Sequence, residues 1–267
     1  MMASPCDLGG RGVLVTRPAA QADGLCRLIE AANGRAIRVP SIEIAPVVDP
    51  REAAALLAQS WDMLYFVSPN AVEQALALVP DGSWSCAAKV AAVGRATAQA
   101  LTDAGRAPEL VPEQRFDSET LLAMPELADM RGRRVLIVRG EGGRALFAET
   151  LRDRGAEVRF AEVYRRLRPA FDPASLLSRW TETVAAVTAT SDEVMLNLME
   201  MLGPEGRAPL LATPLVVVAD RTAEKARGLG FVQVAVAERA EDAAIVRAAC
   251  VLLDGEACVM RPTRPAA

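Results

Sequence analysis

Six short apolar runs without polar alternation set the tightest limit on how this chain folds. They occupy residues 12–16, 62–67, 89–93, 134–138, 184–188 and 214–218, and are rich in Val. A strand with one wet face alternates apolar with polar residues. A strand buried on both faces does not, and that is how strands of a parallel sheet covered by helices read. Between the runs lie stretches with helical spacing at 19–32, 69–79, 96–104, 144–154, 192–202, 222–229 and 241–253. Strand–helix alternation predicts βαβ units and an α/β, doubly wound architecture.

The chain also repeats itself. Gly10, Val13, Leu14, Val15 and Arg17 match Gly132, Val135, Leu136, Ile137 and Arg139 at an offset of 122. Val93, Thr97 and Ala98 match Val218, Thr222 and Ala223 at an offset of 125, which Gly105 and Gly230, and Val111 and Val236, share. Ser68 stands opposite Ser191 at an offset of 123. Common order at nearly one offset points to duplication of an α/β unit. Two matched units imply a cleft for a ligand. Proline-punctuated stretches at 39–50 and 164–173 read as connectors, and 261–267 as a disordered tail.

Most of the buried runs pass directly into a small or capping residue and a helix. The junctions are Arg17–Pro18, Ser68–Pro69–Asn70, Gly94–Arg95–Ala96–Thr97, Gly140–Glu141–Gly142–Gly143, Thr190–Ser191–Asp192 and Asp220–Arg221–Thr222. Helix N-termini carry unpaired N–H groups and a positive dipole end, so they hold anions. In open α/β sheets ligands sit at these strand ends. The residues have a second reading: Ser68, Ser191 and Asp220 are also ordinary caps, and Gly94 and Gly140 ordinary turn glycines. Phosphate-loop and dinucleotide fingerprints are missing.

Composition narrows the chemistry. The chain has no histidine, which excludes Ser-His-Asp and Cys-His mechanisms. Five scattered cysteines form no CxxC pair or zinc spacing, and are expected to be reduced thiols. No organic cofactor is expected either. A net charge of -4 argues against nucleic acid as partner. No run reaches membrane-spanning length and no secretory signal is evident, so a cytoplasmic location is expected. Lys89 and Lys225 are the only lysines among 30 basic residues. Codon bias explains such an excess of arginine, and so does bidentate grip on carboxylates. Of two tyrosines, Tyr65 lies inside an apolar run and reads as core. Tyr164 lies at the mouth of a connector, either packed or poised as a proton donor.

Several of these segments together resemble the uroporphyrinogen-III synthase family. They are Val13–Leu14–Val15–Thr16–Arg17–Pro18, Ser68–Pro69–Asn70–Ala71–Val72, the pattern from Ala92 through Gly94, Thr97 and Leu101 to Gly105, Val135 to Gly140, Gly155–Ala156, and Val163–Tyr164–Arg165–Arg166. Thr190–Ser191 and Thr222–Ala223 complete the order. No single motif is specific; their succession along nearly the whole chain is.

The resemblance implies two flavodoxin-like, doubly wound parallel-sheet domains joined by a two-stranded connector. One domain is discontinuous, residues 1–38 plus 172–255, the other is 50–161, and the connectors are 39–49 and 162–171. It implies a lyase that acts on hydroxymethylbilane, a linear tetrapyrrole polycarboxylate. Loss of the substrate's hydroxyl, attack at the substituted carbon of ring D and a spiro intermediate lead to uroporphyrinogen III with ring D inverted. Tyr164 matches the family's tyrosine that assists hydroxyl departure. Ser68, Thr97, Ser191 and Thr222 match positions near the cleft; with Arg17, Asn70, Gly94, Arg139 and Gly140 they are assigned to substrate binding. A monomer is expected, with at most transient contact with the preceding pathway enzyme. Ala219–Asp220 departs from the family's pair before Thr222, and sets a carboxylate beside a polyanion unless Asp220 serves as a cap. The alternative reading is an inactive synthase-like binding or regulatory module. The missing signal sequence and phosphate loop count against a third reading, an unrelated two-domain sugar- or nucleotide-binding protein.

Overall fold

The computed structural model describes residues 6–79, 84, 88–112, 118–143 and 145–254. In chain order its elements are β1 (Gly12–Val15), α1 (Asp23–Ala31), β2 (Arg35–Arg38), β3 (Glu43–Pro46), α2 (Arg51–Leu57), β4 (Met63–Phe66), α3 (Pro69–Leu78), β5 (Lys89–Ala92), α4 (Arg95–Asp103) and α5 (Ser118–Leu122). There follow β6 (Arg134–Gly140), α6 (Leu146–Asp153), β7 (Glu157–Leu167), α7 (Ala174–Leu177), α8 (Trp180–Thr183), β8 (Ala186–Ala189), α9 (Asp192–Ala212), β9 (Leu215–Val217), α10 (Asp220–Leu229), β10 (Val234–Val236) and α11 (Asp242–Asp254). Short 3-10 turns precede α1 and β6.

The chain divides into two units, residues 44–166 and residues 1–43 with 167–267. The second of these carries a sheet in the order β10-β9-β8-β1-β2, and its adjacent strands pair in parallel. Helices α1 and α11 pack on one face of it through Leu25, Ile29, Ile245 and Ala249 against Val13 and Val15. Unit 44–166 carries the order β3-β7-β6-β4-β5, extended by a bridge from Ala91 to Leu110. Leu64 and Phe66 of β4 enter a core with α2, α3 and Leu101 of α4. Met63 and Tyr65 of the same strand enter the opposite core with α5 and α6. Burial on both faces is why this run lacks polar residues.

Helix ends follow local chemistry. Ser68 and Ser191 accept hydrogen bonds from the N–H groups of Ala71 (3.1 Å) and Val194 (3.2 Å), capping α3 and α9. The spacing predicts a helix ending at 202. At Gly203 (φ 66°, ψ −169°) the backbone does leave the helix, and it resumes at Pro204. A proline starts a helical segment well, because its missing N–H is unpaired there anyway.

The thiol expectation is corrected at one pair. Cys6 and Cys250 form a disulfide, with Cα atoms 5.8 Å apart. The segment before β1 runs beside α11, where Arg11 donates to the Leu253 carbonyl (2.6 Å) and pairs with Asp254. The fold thus joins cysteines 244 residues apart, which no spacing rule detects. Cys26 is a free, buried thiol. Cys86, Cys258, Arg144 at the start of one expected helix, and the expected tail at 261–267 lie outside the described residues.

Candidate active site

Tyr164 is 1% exposed, and its ring lies in the core shared by β4, α2 and α3. The phenol and the Ser68 hydroxyl share a hydrogen bond of 3.1 Å. Ser68 is held by its capping role, with extended backbone (φ −165°, ψ 161°) at the end of β4 and its Oγ on α3's first turn. Gly140, the last residue of β6, lies under the ring. A Cβ built there would sit 2.6 and 2.7 Å from Cε2 and Cζ of Tyr164. Only a residue without a side chain admits the ring at this distance. Asn70 stands in the first turn of the same helix.

Arg139, one residue before Gly140, is held by protein groups. Its Nε and Nη2 donate to Glu162 Oε1 at 3.2 and 2.9 Å, and its guanidinium lies 3.8 Å from the centroid of the Phe160 ring. Beyond it Gly142 and Gly143 have φ of 71° and 104°, a left-handed turn that glycine allows. A cavity of about 210 Å³ opens here, lined by Tyr65, Ser118, Arg139, Gly143, Phe160 and Arg166 among others. Tyr65 stacks on Phe147 at 4.1 Å, and its hydroxyl lies 3.3 Å from that of Ser118. Burial pushes the Tyr65 phenol up in pKa, so it stays protonated. Gly94 is the N-cap of α4, in extended conformation, and Thr97 is buried in that helix's first turn.

The remaining assigned residues lie in the other unit. Arg17, after β1, pairs with Asp242 at 2.6 Å with 14% of its side chain exposed. Arg17 and Arg139 therefore each have a carboxylate partner within their own unit. Ser191 and Thr222 come together through Asp192, whose Oδ1 accepts from the Thr222 hydroxyl at 2.6 Å while Lys225 lies 3.4 Å from Oδ2. The cap reading of Asp220 is corrected. Ala219 occupies the N-cap position of α10 without a side-chain bond, and Asp220 is the first helical residue. There its carboxylate faces the favourable end of the helix dipole. Among the described residues no group of three His, Cys, Asp or Glu side chains is placed to hold a metal.

The Thr222 hydroxyl, ahead of Lys225, holds the Asp192 carboxyl below the ordinary carboxylate range. A group with a lowered folded pKa stabilises the fold above its unfolded pKa and loses that contribution as pH falls through the folded value. Asp192→Asn is expected to flatten the fall of melting temperature between about pH 5 and pH 2. Equal slopes for variant and parent in thermal scans would show that this carboxylate is no better solvated folded than unfolded.

A family model described as uroporphyrinogen-III synthase HemD matches residues 23–247. The chain belongs to the uroporphyrinogen-III synthase family. The uroporphyrinogen-III synthase of Escherichia coli is 37% identical over 242 residues, which span 88% of this chain and 98% of that protein. Among solved structures, a mutant uroporphyrinogen III synthase of Thermus thermophilus superposes with a TM-score of 0.59 at 21% identity, covering 92% of this chain and 100% of that one. The Helicobacter pylori enzyme gives 0.55 at 15% identity, covering 91% and 99%. At those identities the superpositions establish the synthase family's α/β fold with parallel sheets. The family assignment itself rests on sequence.

Proposed function

We propose that the chain closes hydroxymethylbilane into uroporphyrinogen III with inversion of ring D, as a dehydrating lyase that uses its own side chains and no cofactor. The contact between Tyr164 and Ser68 at the carboxyl end of β4 carries this reading. Tyr164 donates its proton to the departing hydroxyl, which leaves as water. The lone pair of the adjoining pyrrole nitrogen expels that water, which leaves the ring as an electrophilic azafulvene. Ring D attacks through its substituted carbon, and the spiro intermediate fragments and recloses. The proton released as the last pyrrole regains aromaticity restores the phenol.

Ser68 suits the partner role because a hydroxyl both accepts and donates. Its oxygen takes the Ala71 N–H throughout, and its O–H turns to steady the phenolate while the proton is away. The chain's further task is to fold the substrate so that the inverting path outruns head-to-tail closure. Asn70, Gly94, Thr97, Ser191 and Thr222 stand at helix starts suited to carboxylates. Arg17, Arg139 and Gly140 complete the binding set, and the two arginines engage substrate only by sharing or leaving Asp242 and Glu162.

Duplication of a flavodoxin-like unit is supported by strand order. The orders β2-β1-β8-β9-β10 and β7-β6-β4-β5, with Leu110 next, correspond strand for strand at the sequence offsets of the repeat. Residues 1–38 with 172–255 and residues 50–161 are its two domains. We place the monomeric enzyme in the cytoplasm, acting on a small-molecule polycarboxylate without nucleic acid or membrane partner. The Cys6–Cys250 bond is a feature that such a reducing compartment works against.

The test is a coupled assay with hydroxymethylbilane generated in situ and product isomers separated after oxidation. Mostly type III product, against type I in the blank, is expected. Type I alone from folded protein would leave a synthase-like binding module.

A further inference from the structure

Strand β7 does not keep its period of two. Val158 packs in the core on the α5–α6 face with Phe160 against it, whereas Ala161, Val163 and Tyr164 are all in the core on the α2–α3 face. Regular alternation puts Tyr164 on the face of Phe160 and Glu162, away from Ser68. A register slip against β6 prevents this. Arg139 is opposite Glu162, but the next residue, Gly140, is opposite Tyr164, so Val163 is the extra residue of a bulge. Bulges re-aim side chains, and in parallel pairs they are rare.

One side chain closes the slip from both strands. Glu162, the last residue in register, accepts at Oε1 from Arg139 Nε and Nη2 and from the Gly142 N–H at 3.3 Å. The Gly140–Gly143 turn is thereby tied to β7 just ahead of the bulge. After the bulge the Glu141 N–H donates to the Tyr164 carbonyl at 2.7 Å. The Glu162 side chain is 39% exposed, and ion pairs so exposed contribute little to stability.

We propose that Glu162 is a positioning residue for the reaction, acting through the Gly140–Gly143 turn to set the slip that brings the Tyr164 hydroxyl to Ser68. This rests on the synthase reading with Tyr164 as proton donor. The test measures kcat, KM and melting temperature for Glu162→Ala and Glu162→Gln, each in the parent and in a Tyr164→Phe background. Glu162→Ala is expected to lower kcat roughly tenfold to a hundredfold, the cost of a misplaced group, with KM unchanged or lowered because Arg139 is released to the substrate. Glu162→Gln keeps an oxygen for the same N–H donors and should recover most of the rate. In the Tyr164→Phe background Glu162→Ala should cost little more, because both changes remove one function.

Losses that multiply independently, or an unchanged kcat for Glu162→Ala, would overturn the inference. So would losses of turnover that track melting temperature in both variants, or a Glu162→Ala chain that does not fold, since either makes Glu162 structural. The parent is assayed first. Type I product alone from it removes the synthase reading and this inference with it, whereas type III from the parent with an unaltered variant removes only the inference.

Discussion

Gly140→Ala is expected to cost this protein both stability and turnover. The added methyl meets Cε2 and Cζ of Tyr164 at 2.6 and 2.7 Å, closer than a carbon–carbon contact allows. The ring cannot swing aside, since it is 1% exposed within a packed core. Either the ring tilts or β6 and β7 part, and overpacking of this kind costs about 1–3 kcal/mol. Displacing the phenol from Ser68 should lower kcat on the order of a hundredfold. Gly105→Ala provides the comparison. Its φ of 78° strains an alanine, but no atom lies within 4 Å of the new Cβ. That variant should lose about 1 kcal/mol of stability and keep its rate. Melting scans and the isomer assay on both variants separate crowding from strain; equal kcat for the two would remove the close approach of Gly140 from the argument.

Tyr164→Phe isolates the hydroxyl. Phenylalanine keeps the ring and its packing, and Ser68 keeps the Ala71 N–H. The loss of one neutral hydrogen bond costs about 1 kcal/mol, so the fold should survive. A positioned acid is worth roughly 10² to 10⁴ in rate, and kcat should fall within that range. The ratio of type III to type I formed by the enzyme should hold, because that ratio depends on how the substrate is folded and not on how fast its hydroxyl leaves. An unchanged rate would take Tyr164 out of the chemistry. A changed ratio would make it a shaping residue.

Strands buried on both faces are legible in the amino acids, and partly exposed ones are not, among them β7, which lies inside its sheet but has mixed burial. Strands β1, β4, β5, β6, β8 and β9 are buried along most of their length, so each reads as an apolar run. Strand β2, Arg-Ala-Ile-Arg, and β3, Glu-Ile-Ala-Pro, have exposed ends, and β10 is only half-buried. All three lie at sheet edges, where one side has no neighbouring strand among the described residues. The proline-rich stretches at 39–50 and 164–173 read as connectors, which the family resemblance makes two-stranded; the first contains β3, and the tail of β7 runs into the second.

The candidate site divides the same way. Caps at Ser68 and Ser191 follow from local pattern, whereas the partner of Ser68 is 96 residues away and on the wrong face by simple alternation. The bulge that corrects this leaves no composition signal. Arg17 and Arg139 end equivalent strands in the repeat, but their partners Asp242 and Glu162 are visible only once the chain is folded.

The pairing of β1 with β8 puts a delay into biosynthesis. A ribosome finishes the strand–helix–strand segment through Arg38 long before Ala186 emerges, while everything from 44 to 166 arrives as one uninterrupted block. At about 5–20 residues per second the early segment waits roughly 7–30 s with one long flank of β1 unpaired. During that interval the middle of the chain can mature, while the first strands stay open to chaperones or to a neighbouring nascent chain. Slowing translation between the two halves therefore prolongs exposure of the first piece without hindering the second.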